Sequence, residues 1–257
     1  MSATPLRQGR PDIETVGARF PIPLTMAFQP IVDAGSREVF AYEALVRGTE
    51  GETAGQVLEL VDRSNRQHFD QQCRLTALDL AVKLGLGGGR SALSINFMPN
   101  AWQDVGACTS LARAACERLE FPTDRVIFEF TEGEPVEDQE RLGRIIRAYR
   151  EVGFRTAIDD FGAGYSGLTL LAKFQPDIVK LDMELVRGID SDRVRRAIVT
   201  SIRRMCDDLG IVIVAEGIET AGEYTVLRDL GVSLLQGFLF ARPIVQTLPK
   251  PTWPRGG

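Results

Sequence analysis

Eight short apolar runs alternate with helical patterns along this chain, and that alternation predicts an α/β fold built on a parallel sheet. Eight such runs in 257 residues suit a β/α barrel, which commonly needs ~250 residues. The first two runs are joined only by "DAGSRE", too short for a crossover helix, so they should pair antiparallel. Polar residues also recur at the ends of the runs, where the mouth of a barrel would gather them. The expectation is a (β/α)8 barrel with one antiparallel strand near its N-terminus. An open doubly wound sheet is the second choice.

In order, the predicted strands are "TMAFQPIV" (25–32), "VFAYEALV" (39–46), "ALSINF" (92–97), "RVIFEF" (125–130), "FRTAID" (154–159), "DIVKLD" (177–182), "IVIVAE" (211–216) and "VSLLQG" (232–237). Each is rich in the β-branched and aromatic residues that suit a pleated surface. Helical patterns fill 53–84, 100–119, 136–152, 166–173, 191–209 and 220–230. Residues 1–20 are polar and punctuated by Pro and Gly, which reads as a flexible tail or linker. The barrel should occupy 21–247. "LPKPTWPRGG" (248–257) reads as a second flexible tail.

Hydrophobic residues make up 44% of the chain and charged residues 25%, ordinary values for a globular protein. A net charge of -5 leaves no basic excess for binding a nucleic-acid polymer or a membrane surface. The four cysteines (Cys73, Cys108, Cys116, Cys206) form no C-x-x-C pair and have one histidine, His68, beside them. That argues against zinc and for a reducing cytoplasm. There is no signal-peptide core and no apolar run near the ~20 residues of a membrane span.

The segment "TAIDDFGAGYSGLTLL" (156–171) poses the chemical question. Gly162, Gly164 and Gly167 have the spacing of a dinucleotide-binding turn, with Asp182 following as the acid. Yet Asp159 and Asp160 stand where a pyrophosphate's charge would arrive. The other strand ends supply Glu43, Asn96, Glu129, Lys180, Glu216 and Gln236. Singly, each reads as a cap or a solvated loop residue. Together, carboxylates in one pocket repel strongly unless a cation or a proton intervenes. A donor set of carboxylate and amide oxygens selects Mg²⁺ or Mn²⁺. The glycines then serve a sharp backbone turn behind the acids rather than a cofactor's phosphates.

The ordered segments "FQPIVD", "YEALVRG" (with Glu43-Ala44-Leu45), "SINF", "FEFTE", "IDDFGAGYSGL", "IVKLD", "VIVAEGIE" and "LLQGFLFARP" resemble the EAL-domain family of cyclic di-GMP phosphodiesterases over roughly residues 20–245. The resemblance implies a modified TIM (β/α)8 barrel with an antiparallel strand, and hydrolysis of cyclic di-GMP to linear pGpG using two Mg²⁺ or Mn²⁺ ions. It places Glu43, Asn96, Glu129 and Asp159 around one ion. Asp159 would bridge to a second ion held with Asp160 and Glu216. Lys180 would orient or deprotonate the attacking water, with a pKa lowered if it is buried near the cations. Gln29, Arg47 and Gln236 match positions on the substrate side, Gln236 as a hydrogen-bonding support. Glu132 matches a glutamate that props the "DFGAGYSG" loop. Family members dimerise through helices near that loop, which makes 183–205 the candidate homodimer surface. The alternatives from other classes are a cyclic di-GMP receptor with negligible turnover, acting through a protein partner, and an unrelated Mg²⁺-dependent barrel enzyme.

Overall fold

The structure, a computed structural model, describes residues 19–131, 137–164 and 167–254. Eight strands close into a ring: β1 (Leu24–Asp33), β2 (Glu38–Gly48), β3 (Ala92–Asn96), β4 (Val126–Thr131), β5 (Arg155–Phe161), β6 (Ile178–Leu181), β7 (Val212–Ala215) and β8 (Leu234–Leu235). Strands β2 to β8 are parallel neighbours in sequence order. β1 closes the ring antiparallel to both β2 and β8. The barrel with one antiparallel strand therefore stands, and the open sheet does not.

Period-2 alternation sorts the strand side chains into two environments. Leu93, Ile95, Phe128, Phe130, Ile158, Val179 and Leu181 join the large core between sheet and helices. Facing the lumen is a smaller apolar cluster with one residue from each strand: Ile31, Ala41, Ala92, Ile127, Ala157, Ile178, Val214 and Leu234. It forms a packed floor rather than a pore. Two residues further toward the mouth on each strand, the same alternation must again point inward. Those positions are Gln29 (β1 runs the other way), Glu43, Ser94, Glu129, Asp159, Lys180, Glu216 and Gln236. An all-polar layer thus sits directly on an all-apolar floor.

The helices are α1 (Ala54–Leu58), α2 (Arg66–Lys83), α3 (Val105–Leu119), α4 (Gln139–Val152), α5 (Gly167–Phe174), α6 (Met183–Val186), α7 (Arg193–Leu209) and α8 (Ala221–Asp229). The single pattern expected over 53–84 is broken at 59–65. There Asp62 accepts the Ser64 and Asn65 backbone N–H groups, and Asn65 donates to Leu60 O; these local bonds compete with helix propagation. Asp138 and Asp192 cap α4 and α7, and Gly153 and Gly210 end them in the left-handed region. A short ninth strand, β9 (Ile244–Val245), pairs antiparallel with β1 at Ala27 and Phe28, along the stretch of edge that two-residue β8 leaves bare. Beyond it, 248–254 runs along the barrel where the sequence suggests a tail. The Thr252 N–H donates to Phe240 O at 2.9 Å, Tyr42 Oη donates to Pro249 O, and the Trp253 ring lies 5.5 Å from that of Phe240.

Candidate metal centre

Asp159 and Asp160 are adjacent, so in a regular strand they would face opposite sides of the sheet. Between Ile158 and Phe161, β5 advances three residues while β6 advances two, from Val179 to Leu181. This bulge holds Asp160 at φ 53 and re-aims its side chain toward the mouth. Gly162 follows at φ 100, and a Cβ there would come within 2.5 Å of Leu185 Cδ1. The positive φ of the turn is what calls for glycine here, since the Leu185 side chain could rotate away. At the end of β8, a Cβ on Gly237 would sit 2.0 Å from Ile218 O, so the backbone beside Gln236 packs directly against another backbone.

The centre of the layer is the Lys180 ammonium. Nζ lies 2.6 Å from Glu216 Oε1, 2.9 Å from Glu129 Oε2, 2.9 Å from Asp159 Oδ1 and 3.4 Å from Glu43 Oε2. An ammonium has three hydrogens, fewer than the carboxylates that face it. The shortfall is visible: Asp159 Oδ1 and Glu216 Oε1 are buried at ion-pair distance but off the line of a hydrogen bond, and Gln236 Oε1 also has no partner among the described residues. Glu43 is better served, accepting from Asn96 Nδ2 at 3.2 Å and Gln236 Nε2 at 2.7 Å. Glu129 accepts from Ser94 Oγ as well as from Lys180. Thr131 Oγ1 donates to Asp160 Oδ2 at 3.2 Å.

Burial disfavours every charge in this layer, and the balance differs from group to group. Burial pushes the Glu129 carboxyl up to about 8, with Glu43 and Asp159 adding to the rise against the pull of Lys180. Burial likewise raises Asp159 and Asp160, and holds Glu216 well above the usual carboxylate range. For Glu43, burial is outweighed by Lys180 and by the bonds from Gln236 and Asn96, so its pKa is lowered. Burial works against the Lys180 charge too, but Asp159, Glu129, Glu216 and Glu43 together hold the ammonium well above the ordinary lysine value.

Two groups of acids are close enough to share an ion: Glu43, Glu129 and Asp159, and then Asp159, Asp160 and Glu216, each with donor oxygens within 4.8 Å of one another. The donors are all oxygen, and each group includes a buried oxygen that lacks a hydrogen bond, so the residues present fit divalent cations such as Mg²⁺ or Mn²⁺. Asn96 reaches this cluster through Glu43. Gln236 bonds Glu43 rather than opening toward solvent. Gln29 donates to Ala241 O and lines a cleft of about 170 Å³ with Glu216, Gln236 and Phe238. Arg47 donates to the neighbouring Val46 O and shows no bond to the cluster. Glu132 lies outside the described residues. Asp182 caps α6 through Glu184 N–H, and His68 Nδ1 accepts Phe20 N–H. A larger groove of about 510 Å³ between α4 and α5 is lined by Arg144, Arg147 and Phe174 but by none of these carboxylates, so size does not locate the chemistry.

Ser94 and Thr131 were not singled out from the sequence. Their signal was available: each hydroxyl stands two residues from a candidate ligand on the same strand face, Ser94 before Asn96 and Thr131 after Glu129.

The fold and this donor set define a β/α barrel with an all-oxygen cation site at its mouth. The pattern of the EAL domain family matches residues 23–243, and the chain belongs to that family. A standalone EAL protein from Vibrio cholerae O395, solved with cyclic di-GMP bound, is 48% identical; the match covers 90% of this chain and 97% of that one, with a TM-score of 0.86. BlrP1 of Klebsiella pneumoniae, solved in a manganese and cyclic di-GMP complex, is 37% identical with a TM-score of 0.84, over 92% of this chain and 60% of BlrP1. Cyclic di-GMP phosphodiesterase RocR of Pseudomonas aeruginosa is 33% identical over 189 residues, covering 72% of this chain and 46% of RocR. The chain spans about half the length, or less, of the curated relatives it matches. No helix among the described residues is long and apolar enough to cross a membrane.

Removing the central charge should expose the repulsion it balances. A carboxyl whose folded pKa is raised, as for Glu129 at about 8, favours the folded state while protonated and loses that contribution as pH rises through the folded value. Lys180→Met in EDTA should therefore cost ~3–5 kcal/mol at pH 8, as for breaking a buried ion pair, and clearly less at pH 5. Urea unfolding at the two pH values checks this; an equal loss at both would mean that the carboxyls do not carry the uncompensated charge.

Proposed function

We propose that this chain is a divalent-cation-dependent phosphodiesterase that hydrolyses one phosphodiester bond of cyclic di-GMP to give linear pGpG. The observation that carries the proposal is the polar layer itself. Four carboxylates (Glu43, Glu129, Asp159, Glu216) face one ammonium, a fifth, Asp160, lies beside Asp159 and Glu216, and buried oxygens of Asp159 and Glu216 sit at ion-pair distance from the ammonium without a hydrogen bond. Positive charge brought into such a layer would offset its repulsion of a dianionic cyclic dinucleotide. Glu43, Asn96, Glu129 and Asp159 would hold one Mg²⁺ or Mn²⁺, and Asp159, Asp160 and Glu216 a second. The chemistry such a pair supplies when bound is charge neutralisation at phosphoryl oxygens and a lowered pKa for water.

The protein's own groups divide the remaining work. Gln236 and Asn96 orient Glu43, Ser94 orients Glu129, and Thr131 orients Asp160. Lys180 Nζ, fixed between Glu129, Asp159 and Glu216, is placed to orient a water or to take its proton. The second role requires the ammonium to lose its proton first, which the surrounding carboxylates oppose until their charge is neutralised. Gln29, in the cleft beside Glu216, and Arg47, whose guanidinium suits a phosphate, are assigned to the substrate. Glu132 is assigned to the loop after β5. A cytoplasmic setting fits a nucleotide second messenger.

Glu43→Ala and Asp159→Asn should each abolish metal-dependent release of pGpG while the circular dichroism of the barrel is kept; near-wild-type turnover in either would break the ligand assignment. Lys180→Ala should keep cyclic di-GMP binding and slow single-turnover hydrolysis by about 10²-fold or more, the scale of a lost general base. Saturable binding of intact cyclic di-GMP with no product, in the wild type with Mg²⁺ or Mn²⁺, would instead make the chain a receptor. For quaternary structure the proposal is a homodimer through 183–205, where Met183 (43%), Val194 (66%) and Ile198 (39%) are exposed. Light scattering should report twice the chain mass, reduced to one by Val194→Glu. A monomeric wild type removes the dimer without touching the active site.

A further inference from the structure

Asn96 and Glu129 stand on neighbouring strand ends, and the inference drawn here rests on reading them as cation ligands. Behind them, on the outer side of the sheet, lies a charged pair buried in an otherwise apolar core. Arg74 of α2 is 0% exposed and its Nε lies 2.7 Å from Asp70 Oδ2. Asp70 also accepts the Met98 N–H at 2.7 Å and Trp102 Nε1 at 2.6 Å. Arg74 Nη1 donates to Tyr149 Oη of α4 and reaches Cys108 Sγ at 3.4 Å. Arg74 Nη2 has no hydrogen-bond partner among the described residues; the guanidinium is held by ring faces, 5.1 Å from Phe128, 5.2 Å from Trp102 and 5.4 Å from Phe97.

Two of those rings are the chain neighbours of the ligands. Phe97 follows Asn96, and Phe128 precedes Glu129. Alternation along a strand turns Glu129 to the lumen and Phe128 outward, and carries the chain from inward Asn96 to outward Phe97. The Phe97 N–H donates to Glu129 O at 2.8 Å, tying the two strand ends together. Met98, bonded to Asp70, is the next residue. The outer anchors and the inner ligands are therefore alternate side chains of the same two short segments, β3 with its following turn and the end of β4.

A buried ion pair is weak support for stability, since an apolar set of similar volume would hold α2 against the sheet as well or better. What apolar contacts lack is direction, whereas Asp70 accepts from two specific donors, Met98 N–H and Trp102 Nε1, and Arg74 meets three polar partners, Asp70, Tyr149 and Cys108. We infer that the Asp70–Arg74 pair is a positioning device for the cation site, clamping the β3 and β4 ends from outside so that Asn96 and Glu129 meet one ion. Partners hydrogen-bonded to metal ligands govern affinity by about 10–100-fold, and this pair, one residue removed from Asn96 and Glu129, should act at the lower end of that range.

The pair touches the segments of Asn96 and Glu129 but neither Asp160 nor Glu216, which gives a signature that general destabilisation lacks. The experiment is calorimetric and electron paramagnetic resonance titration of Mn²⁺ into the full chain, with thermal melts on the same samples. The wild type should take up two ions, and Glu129→Gln should lose one. The double variant Asp70→Asn/Arg74→Met should stay folded and weaken one ion by about tenfold or more, leaving the other unchanged. If that variant does not fold, Tyr149→Phe, which removes only a hydroxyl from Arg74, should weaken the same ion in the same direction. Loss of both ions in step with melting temperature, or of neither, overturns the inference while leaving the ligand assignment intact. A wild type that takes up no Mn²⁺, or a Glu129→Gln variant that binds as the wild type does, removes the ligand assignment and this inference with it.

Discussion

The ammonium of Lys180 is the positive charge around which the mouth of this barrel is arranged. Four carboxylates lie within 3.4 Å of Nζ, and all are buried or nearly so. In water such charges would be solvated; on an apolar floor their repulsion has only Lys180, a few amide and hydroxyl donors, and bound protons to offset it. The layer is thereby left short of positive charge by design of its sequence. Burial raises the pKa values of Glu129, Asp159 and Glu216 above those of exposed acids, so the layer favours bound protons.

The arrangement needs very little special machinery. An apolar floor and a polar layer two residues above it are consequences of one alternation applied to eight strands. Three local departures then adapt that regular pattern. The β5 bulge turns a second acid into the mouth, β1 runs backward to place Gln29, and Gly237 lets the Ile218 backbone approach Gln236. Each costs the strand some regularity where cation or substrate would sit, the expected place for such costs.

Much of this was readable in the sequence because it follows from period and position. The eight strands, the opening hairpin and the polar residue at each strand end all derive from local pattern. The rest depends on partners distant in the chain. Nothing near Asp70 or Arg74 announces that they meet Met98, Trp102 and Tyr149, and a buried Asp–Arg pair at i,i+4 looks in sequence like a solvated helix face. Ser94 was hidden inside a strand motif for the same reason. The break at 59–65 carries no Gly or Pro to mark it; Asp62 and Asn65 redirect the backbone through local hydrogen bonds. Two-residue β9 lies below the length at which alternation can be seen. Residues 248–254 carry the prolines of a tail, yet Trp253 packs on Phe240.

On the proposed function, divalent cations should enter this layer in exchange for protons. The direct measurement is the heat of Mn²⁺ binding to the full chain at pH 7, in buffers of differing ionisation enthalpy, from which the protons released per chain are obtained. Carboxyl ligands must be deprotonated to bind, and burial pushes the Glu129 carboxyl up to about 8, so Mn²⁺ uptake at pH 7 should release protons. Saturating Mn²⁺ binding with a heat independent of buffer would contradict it.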